Sequence, residues 1–153
     1  MSDTNKGSLF LLPSSIGTYP VSEQLPANYT TLINTLDHFI VEDERTARRF
    51  LRSAGFEKNF NDCCFSILNE HTKAEETLHY LQPIAEGRDI GLLSDAGCPC
   101  IADPGALVVA MAHSKSIKVI PIVGPSSIML SLMGSGFNGQ SFRFIGYLPI
   151  EKS

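Results

Sequence analysis

Short, continuous apolar runs alternate along this chain with segments of helical character, and this alternation restricts the fold more than any other feature. The runs are apolar on successive residues, as strands are when both faces of their sheet are covered. Parallel strands joined through helices have that environment. The sequence therefore predicts an α/β fold with a mostly parallel sheet of about five strands and helices on both faces. The strands are expected at Ser8–Leu12, His38–Glu42, Cys63–Leu68, Asp89–Ser94 and Lys118–Val123.

Helices are expected between these runs, where capping residues and helix terminators bound each segment. Gly55 can end the helix after the second strand, and Thr72 can cap a long helix that bends at Pro83. The predicted helices are Ala27–Leu36, Glu44–Ala54, Thr72 to about Glu86, Ala106–His113, and Ser126 to about Met133. A further strand, Arg143–Leu148, is predicted shortly before the chain ends, as expected of a fragment of something longer.

The composition is that of a folded protein without a membrane segment. Hydrophobic residues make up 43% of the chain and charged residues 18%, which argues against disorder and against a coiled coil. No apolar run approaches the roughly 20 residues that span a bilayer, and the run before Pro13 is too short for a signal peptide. We therefore expect a cytoplasmic location. The net charge of −4 argues against coating nucleic acid through bulk charge but leaves a local basic patch open.

The four cysteines do not have the spacing of a zinc site or of a disulfide framework. Cys63 and Cys64 are adjacent, and Cys98 and Cys100 flank a proline. Because intracellular cysteines without such spacing are mostly small core residues, we expect buried, reduced thiols and no metal site.

Two loops lie beyond carboxyl ends of predicted strands, where α/β folds bind ligands. The loop Ser94–Gly105, SDAGCPCIADPG, holds two glycines, two prolines and two aspartates. Glycine permits close backbone approach and proline fixes loop shape, which favours a ligand loop over a purely structural crossover. In Gly124–Ser127, GPSS, the serines either cap a helix or bind a polar ligand group such as a carboxylate. Walker A and G-x-S-x-G motifs are absent, which argues against P-loop and esterase sites.

Four arginines lie on one face of the helix after the second strand. Arg45, Arg48, Arg49 and Arg52 are separated by three, one and three residues, which places them together on a helix. Such a face either contacts phosphate groups or is an ordinary solvated surface, supported by a Glu44–Arg48 pair worth about 0.2–0.5 kcal/mol. The spacing alone favours the solvated surface.

Several of these stretches together resemble one protein family. They are SLFLLPSSIG, VEDERTARRFL, NEHT, SDAGCPCIADPG and VIPIVGPSSIMLSLMGSGFNGQSFRFIGYLP, which cover nearly the whole chain. In this order they resemble the tetrapyrrole methylase superfamily of S-adenosylmethionine-dependent methyltransferases, in particular its ribosomal RNA small subunit methyltransferase I branch. The family carries Thr or Asp at the position of Cys98, which is a weaker hydrogen-bond partner.

The resemblance implies a cofactor site and a substrate cleft. It implies that S-adenosylmethionine contacts Pro13, Gly97, Cys98, Ile101, Ser126 and Ser127. It places Glu42, Asp43 and Glu70 in the substrate cleft, where they are candidate bases if a ribose hydroxyl is the methyl acceptor. Structural ion pairing explains these three carboxylates equally well.

The resemblance also implies a two-domain organisation and an activity. Residues 1–123 correspond to the N-terminal α/β domain, and residues 124–153 to the linker and opening elements of a largely absent C-terminal domain. The implied function is ribose 2′-O-methylation of small-subunit ribosomal RNA, with the ribosomal subunit as partner and a homodimer as the assembly. Methylation of a tetrapyrrole or other small molecule, or non-catalytic S-adenosylmethionine binding, remain alternatives.

Overall fold

All five predicted strands form and pair in parallel in a computed structural model, which describes residues 6–73 and 75–147. The strand order across the sheet is β3-β2-β4-β1-β5, so that β4 lies at the centre. The prediction of a mostly parallel α/β sheet of about five strands is confirmed. The strands are β1 (Ser8–Leu12), β2 (His38–Val41), β3 (Cys64–Ile67), β4 (Ile90–Leu93) and β5 (Lys118–Pro121).

Six α-helices and two short 3₁₀ turns connect the strands in the described part of the chain. None of these helices is long and apolar enough to cross a membrane. The helices are α1 (Val21–Gln24), α2 (Tyr29–Thr35), α3 (Glu44–Ser53), α4 (Gln82–Ala85), α5 (Gly105–Ser114) and α6 (Ser127–Ser135). The 3₁₀ turns are Phe60–Asp62 and Glu76–His79.

The sheet is buried on both faces, which explains why its strands are apolar on successive residues. Phe39 on β2 packs with α2 and α3 on one face, while its neighbour Ile40 packs with α5 on the other. Every residue of β4 is buried. The two cores fix the strands rigidly, so that their carboxyl ends can position loops.

The prediction of one long helix from Thr72 to Glu86 is wrong. The Thr72 hydroxyl accepts a hydrogen bond from the Asn69 N–H (2.9 Å) and lies 3.3 Å from the Ile67 carbonyl oxygen, so it closes a turn after β3. The segment then forms the 3₁₀ turn Glu76–His79 and the short α4. Pro83 lies in the first turn of α4, where proline is tolerated, and it could not have continued a preceding helix.

The predictions of a strand at Arg143–Leu148 and of buried cysteines are also wrong in the described residues. Arg143–Tyr147 forms no strand, because its exposed apolar residues meet no edge of the sheet; Leu148 lies outside the described residues. The thiols of the four cysteines are free, as predicted, but none is fully buried. Cys64 is exposed because it begins an edge strand, and the other three are half-buried in or next to loops.

Candidate functional site

The loop that follows β4 folds back onto the end of β1 at the carboxyl edge of the sheet. The Ser14 N–H donates to the Gly97 carbonyl (2.9 Å), and the Gly97 N–H donates to the Ser14 carbonyl (3.2 Å). The buried Ser14 hydroxyl also donates to the Ser94 carbonyl at 2.5 Å. These three bonds hold the loop against the sheet, because they satisfy backbone groups and a buried hydroxyl that burial would otherwise leave without partners.

Five of the six residues predicted to bind the methyl donor line one cleft at this edge. They are Gly97, Cys98, Ile101, Ser126 and Ser127, joined by Ala96, Ile128 and Tyr147. Gly97 has a φ of +72°, a left-handed conformation that favours glycine. A Cβ at this position would lie 3.2 Å from the Pro125 carbonyl oxygen, so the two loops approach each other closely here.

Pro13, the sixth predicted residue, does not line this cleft. Pro13 is buried behind Gly124, and a Cβ added to Gly124 would lie 2.2 Å from the Pro13 Cβ. The Tyr29 hydroxyl donates to the Pro13 carbonyl at 2.8 Å. Pro13 therefore supports the turn that carries the serines.

The Cys98 thiol joins the two sides of the cleft. Its sulfur lies 3.3 Å from the Pro125 carbonyl oxygen and 3.5 Å from that of Gly124. Burial raises the pKa of the Cys98 thiol, so it stays protonated and can donate to these oxygens. The contact ties the loop after β4 to the turn before α6.

The amino terminus of α6 faces the cleft through its serines. Ser126 is extended, and its hydroxyl accepts from the Met129 N–H at 3.4 Å as the helix cap. On the other side, Ser126 and Ser127 also line a mainly apolar groove of about 770 Å³ with Tyr19, Leu130 and Met133. Ser126 and Ser127 therefore lie between the cleft and the apolar groove and line both.

The three candidate carboxylates have different environments. Glu42 is half-buried at the end of β2 and accepts a hydrogen bond from the Asp95 N–H at 3.0 Å. Burial raises the pKa of Glu42, and the charges of Asp95 and Asp103 raise it further. Glu42 and Asp103 also line a small cavity of about 10 Å³, the size of one water molecule.

The other two carboxylates, Asp43 and Glu70, are more exposed than Glu42. Asp43 caps α3 by accepting from the Thr46 N–H at 2.7 Å, and this hydrogen bond lowers the pKa of Asp43. Glu70 is exposed on the loop after β3, 3.5 Å from His71. Glu42 is therefore the only one of these three that is held in a partly desolvated position.

Comparison with known proteins finds relatives in several organisms, three of which are described here, whereas no protein-family model matches. A protein of Halalkalibacterium halodurans is 33% identical over 97% of this chain and 48% of its own length. One from Xylella fastidiosa is 32% identical over 95% of this chain and 50% of its own length. One from Escherichia coli O157:H7 is 31% identical over 97% of this chain and 49% of its own length. All three are named ribosomal RNA small subunit methyltransferase I.

Over nearly its whole length, this chain is homologous to proteins named ribosomal RNA small subunit methyltransferase I. The resemblance in its motifs is thereby confirmed. The chain spans about half the length of the curated relatives it matches.

Sequence reasoning missed the residue that shapes the loop after β4, Asp103. Its carboxylate accepts from the Cys100 N–H (2.8 Å) and from the Gly105 N–H (2.7 Å), and so fixes the start of α5. Cys100 and Ala102 both adopt positive φ, 68° and 60°, within this turn. An aspartate two residues before a helix-initiating glycine is the signal that could have identified it.

Gly134–Gly139, GSGFNG, has the G-x-G-x-x-G pattern found in dinucleotide sites. Here it ends α6 instead of linking a strand to a helix. The structural context that confirms a dinucleotide site is therefore missing.

The four arginines of α3 fall into two pairs. Arg48 contacts the Glu44 carboxylate at 2.5 Å, and its guanidinium lies over Phe65 and Phe60 at 5.1 and 5.3 Å from the ring centres. Arg52 lies 4.2 Å over Phe60. Arg45 and Arg49 are exposed and make no hydrogen bond or ion pair with another described residue.

Proposed function

We propose that this chain is the donor-binding part of an S-adenosylmethionine-dependent methyltransferase that modifies small-subunit ribosomal RNA. The observation that carries the proposal is the meeting of Gly97, Cys98, Ile101, Ser126 and Ser127 around one cleft. These residues come from two loops 25 or more positions apart, and relatives that cover the same region are named for this activity.

The residues of the cleft match the chemistry of the proposed donor, and since the cleft itself has room for only about 20 Å³, the donor would also occupy the adjoining groove of about 770 Å³. Ile101, Ile128 and Tyr147 offer apolar surface for a purine ring, while the Ser126 and Ser127 hydroxyls and the N–H groups of α6 suit a ribose or a carboxylate. When bound, S-adenosylmethionine supplies an activated methyl group on a sulfonium, so the protein's task is to orient the reactants and exclude water. The absence of a side chain at Gly97 lets the loop after β4 approach the Pro125 carbonyl, which brings the two walls of the cleft together.

Glu42 is the group we assign to remove a proton from a ribose 2′-hydroxyl acceptor. Its carboxylate is half-buried, and its raised pKa makes it a stronger base than an exposed glutamate. The Asp95 N–H holds one of its oxygens and leaves the other free to accept a proton. The Asp43 carboxylate already serves as the cap of α3, and the Glu70 side chain is exposed to solvent.

We also propose that residues 1–123 form the N-terminal domain and that residues 124–153 open a second one, of which 148–153 lie outside the described residues. The exposed apolar side chains of α6 and of the segment after it support this division. The proposed homodimer rests on the family resemblance, and the cytoplasmic location rests on the composition of the sequence.

Donor binding tests the proposal through two matched substitutions. Ile101 lines the cleft and is 51% exposed, whereas Leu107 on α5 is 62% exposed and lies outside the cleft. Ile101→Asp should weaken S-adenosylmethionine binding about tenfold, or ~1.4 kcal/mol, because it puts a carboxylate among the donor contacts. Leu107→Asp should leave binding unchanged. We measure both by calorimetry with donor up to millimolar concentration, because we expect this chain to bind more weakly than micromolar.

Methyl transfer identifies the acceptor. Labelled donor is incubated with the chain and either small ribosomal subunits or a tetrapyrrole, and ribose methylation is detected as a backbone linkage that resists alkaline cleavage. Glu42→Gln should abolish transfer to the ribose without changing donor affinity, whereas Glu70→Gln should have no effect. Label on the tetrapyrrole alone would overturn the RNA proposal. Donor binding without transfer to either acceptor, even when the second domain is present, would indicate a non-catalytic domain.

A further inference from the structure

We propose that the exposed face of α3 binds an unpaired stretch of RNA through two chemically different contacts. Arg45 and Arg49 hold phosphates, and the guanidinium of Arg52 stacks on a nucleobase. The inference rests on the proposed function only for the choice of RNA as the partner. The spacing of the arginines does not indicate which of them would contact phosphates and which a nucleobase, whereas the contacts of each side chain do.

Arg52 has the geometry of a stacking platform. One terminal nitrogen donates to the Phe56 carbonyl and the other to the Lys58 carbonyl at 2.8 Å, which fixes the plane of the guanidinium. One face of that plane lies 4.2 Å from the centre of the Phe60 ring. The guanidinium also lies 5.8 Å from the centre of the Phe56 ring, but the residue is exposed, so part of the guanidinium is accessible to solvent. A fixed, exposed guanidinium plane is a surface on which unpaired bases stack.

Arg48 is committed to supporting this platform. Its guanidinium lies over Phe60 and Phe65, its ion pair with Glu44 neutralises its charge, and its Nε is shielded from solvent. A phosphate would have to displace these contacts. Arg48 therefore helps to hold Phe60 in place beneath Arg52, and we assign it no phosphate.

Arg45 and Arg49 have the properties of phosphate contacts. They lie one turn apart, about 6 Å along the helix axis, and neither forms a hydrogen bond or ion pair with a described side chain, although the charges of both help to lower the pKa of Asp43. Helix α3 carries four arginines against one glutamate on a chain of net charge −4, so this face is locally cationic. Since α3 begins two residues after Glu42, a strand lying along it would lead toward the proposed base.

The test is the salt dependence of binding to a single-stranded oligoribonucleotide that contains 2-aminopurine. Arg45→Gln with Arg49→Gln should lower the slope of log Kobs against log salt by about 1.4, because single strands contribute about 0.7 per phosphate contact. The control, Lys115→Gln with Lys118→Gln, removes two exposed charges near the β5 edge, and it should leave the slope unchanged.

Arg52→Lys keeps the positive charge and removes the planar guanidinium group. We expect it to weaken binding at least about fivefold and to reduce quenching of the 2-aminopurine, with the salt slope unchanged. The inference would be overturned if Arg52→Lys left the affinity and the quenching unchanged, or if the lysine control altered the slope as much as the Arg45 and Arg49 substitutions do. It would also be overturned if the chain bound a polyglutamate peptide as tightly as the oligonucleotide. Oligonucleotide binding that fails while the donor still binds would refute this surface alone. Donor binding that fails while the oligonucleotide still binds would refute the proposed function alone.

Discussion

At the scale of single residues, the cleft depends on backbone positions that have no room for a side chain. Gly124 lies directly against the Pro13 ring, and Gly97 lies against the Pro125 carbonyl. These contacts let the ends of β1 and β5 and the loop after β4 meet. A methyl group at either position would push the walls apart.

Gly124→Ala should therefore destabilise the fold. The added Cβ would lie 2.2 and 2.3 Å from the Pro13 Cβ and Cγ, and overpacking of this kind costs about 1–3 kcal/mol. Urea denaturation measures the change in the free energy of unfolding. The control is Gly134→Ala on α6, where no atom lies within 4 Å and alanine should be neutral or stabilising by up to ~1 kcal/mol. Equal stability of the two variants would contradict the steric explanation.

The sequence could locate these residues but could not assign all their roles. Gly97, Cys98, Ser126 and Ser127 were identified through a family motif, and the structure brings them together. Pro13 was identified in the same way, yet it lies one layer behind the cleft. Whether a carboxylate caps a helix or faces a cavity depends on tertiary contacts, which is why Glu42 and Asp43 could not be distinguished from their order in the chain.

At the scale of elements, α3 links the sheet edge to the arginine face. Its first residue follows the Asp43 cap, and its buried side, Ala47 and Leu51, packs on the sheet. The cap sets where the helix begins and therefore which arginines reach the carboxyl edge of β2. Periodicity predicted this helix to within a residue, because its apolar and charged faces are clearly separated.

Asp43→Ala should destabilise α3 in a pH-dependent manner. The hydrogen bond from Thr46 lowers the pKa of Asp43 below its ordinary value of 3.8, so the charged cap stabilises the fold above that value. This contribution is lost as the pH falls through the lowered pKa. The stability difference between wild type and Asp43→Ala should therefore be present at neutral pH and shrink below pH 3.8.

Asp43→Asn is the matched control for this cap. Asparagine keeps the acceptor but not the charge, so it should retain much of the stability at neutral pH and lose the pH dependence. Chemical denaturation at several pH values gives the comparison. A difference between wild type and Asp43→Ala that stays constant down to pH 2 would rule out the charged cap.

One element that was predicted wrongly from the sequence is the long helix from Thr72, which does not form. Its polar stretch has no sustained apolar face, and the Tyr80 hydroxyl donates to the Ile67 carbonyl, which holds the segment close to the end of β3. Tertiary contacts of this kind override a capping signal. Continuous apolar strands were predictable because burial on both faces leaves no other pattern.

At the scale of the whole molecule, one side of the described chain is exposed and apolar. Helix α6 has no buried residue, and Met133, Phe137 and Ile145 are each more than three-quarters exposed. Clusters of this kind mark surfaces that meet another polypeptide. The sequence predicted a second domain here, and the apolar surface is what such a domain would cover.

We expect this surface to bind a hydrophobic dye and to promote self-association. Leu130→Glu with Met133→Glu should reduce both, because it places charges in the large groove beside Ser126. Leu78→Glu with Leu107→Glu is the control, since these residues are also exposed but lie off α6. Anilinonaphthalene sulfonate fluorescence and size-exclusion chromatography measure the two effects. Equal dye binding by both double variants would show that α6 is not the apolar site.

The strand order has a consequence for how the chain is made. β1 is the first of the five strands to leave the ribosome, but its sheet neighbours are β4 and β5, about 80 and 110 residues further on. Until Ile90–Leu93 emerges, Leu9 and Leu12 have no sheet partner, while β2 can already pair with β3. Pairings this distant in sequence fold slowly. The nascent chain must therefore carry an unpaired apolar first strand until β4 has been made, and a chaperone that shields that strand would assist folding.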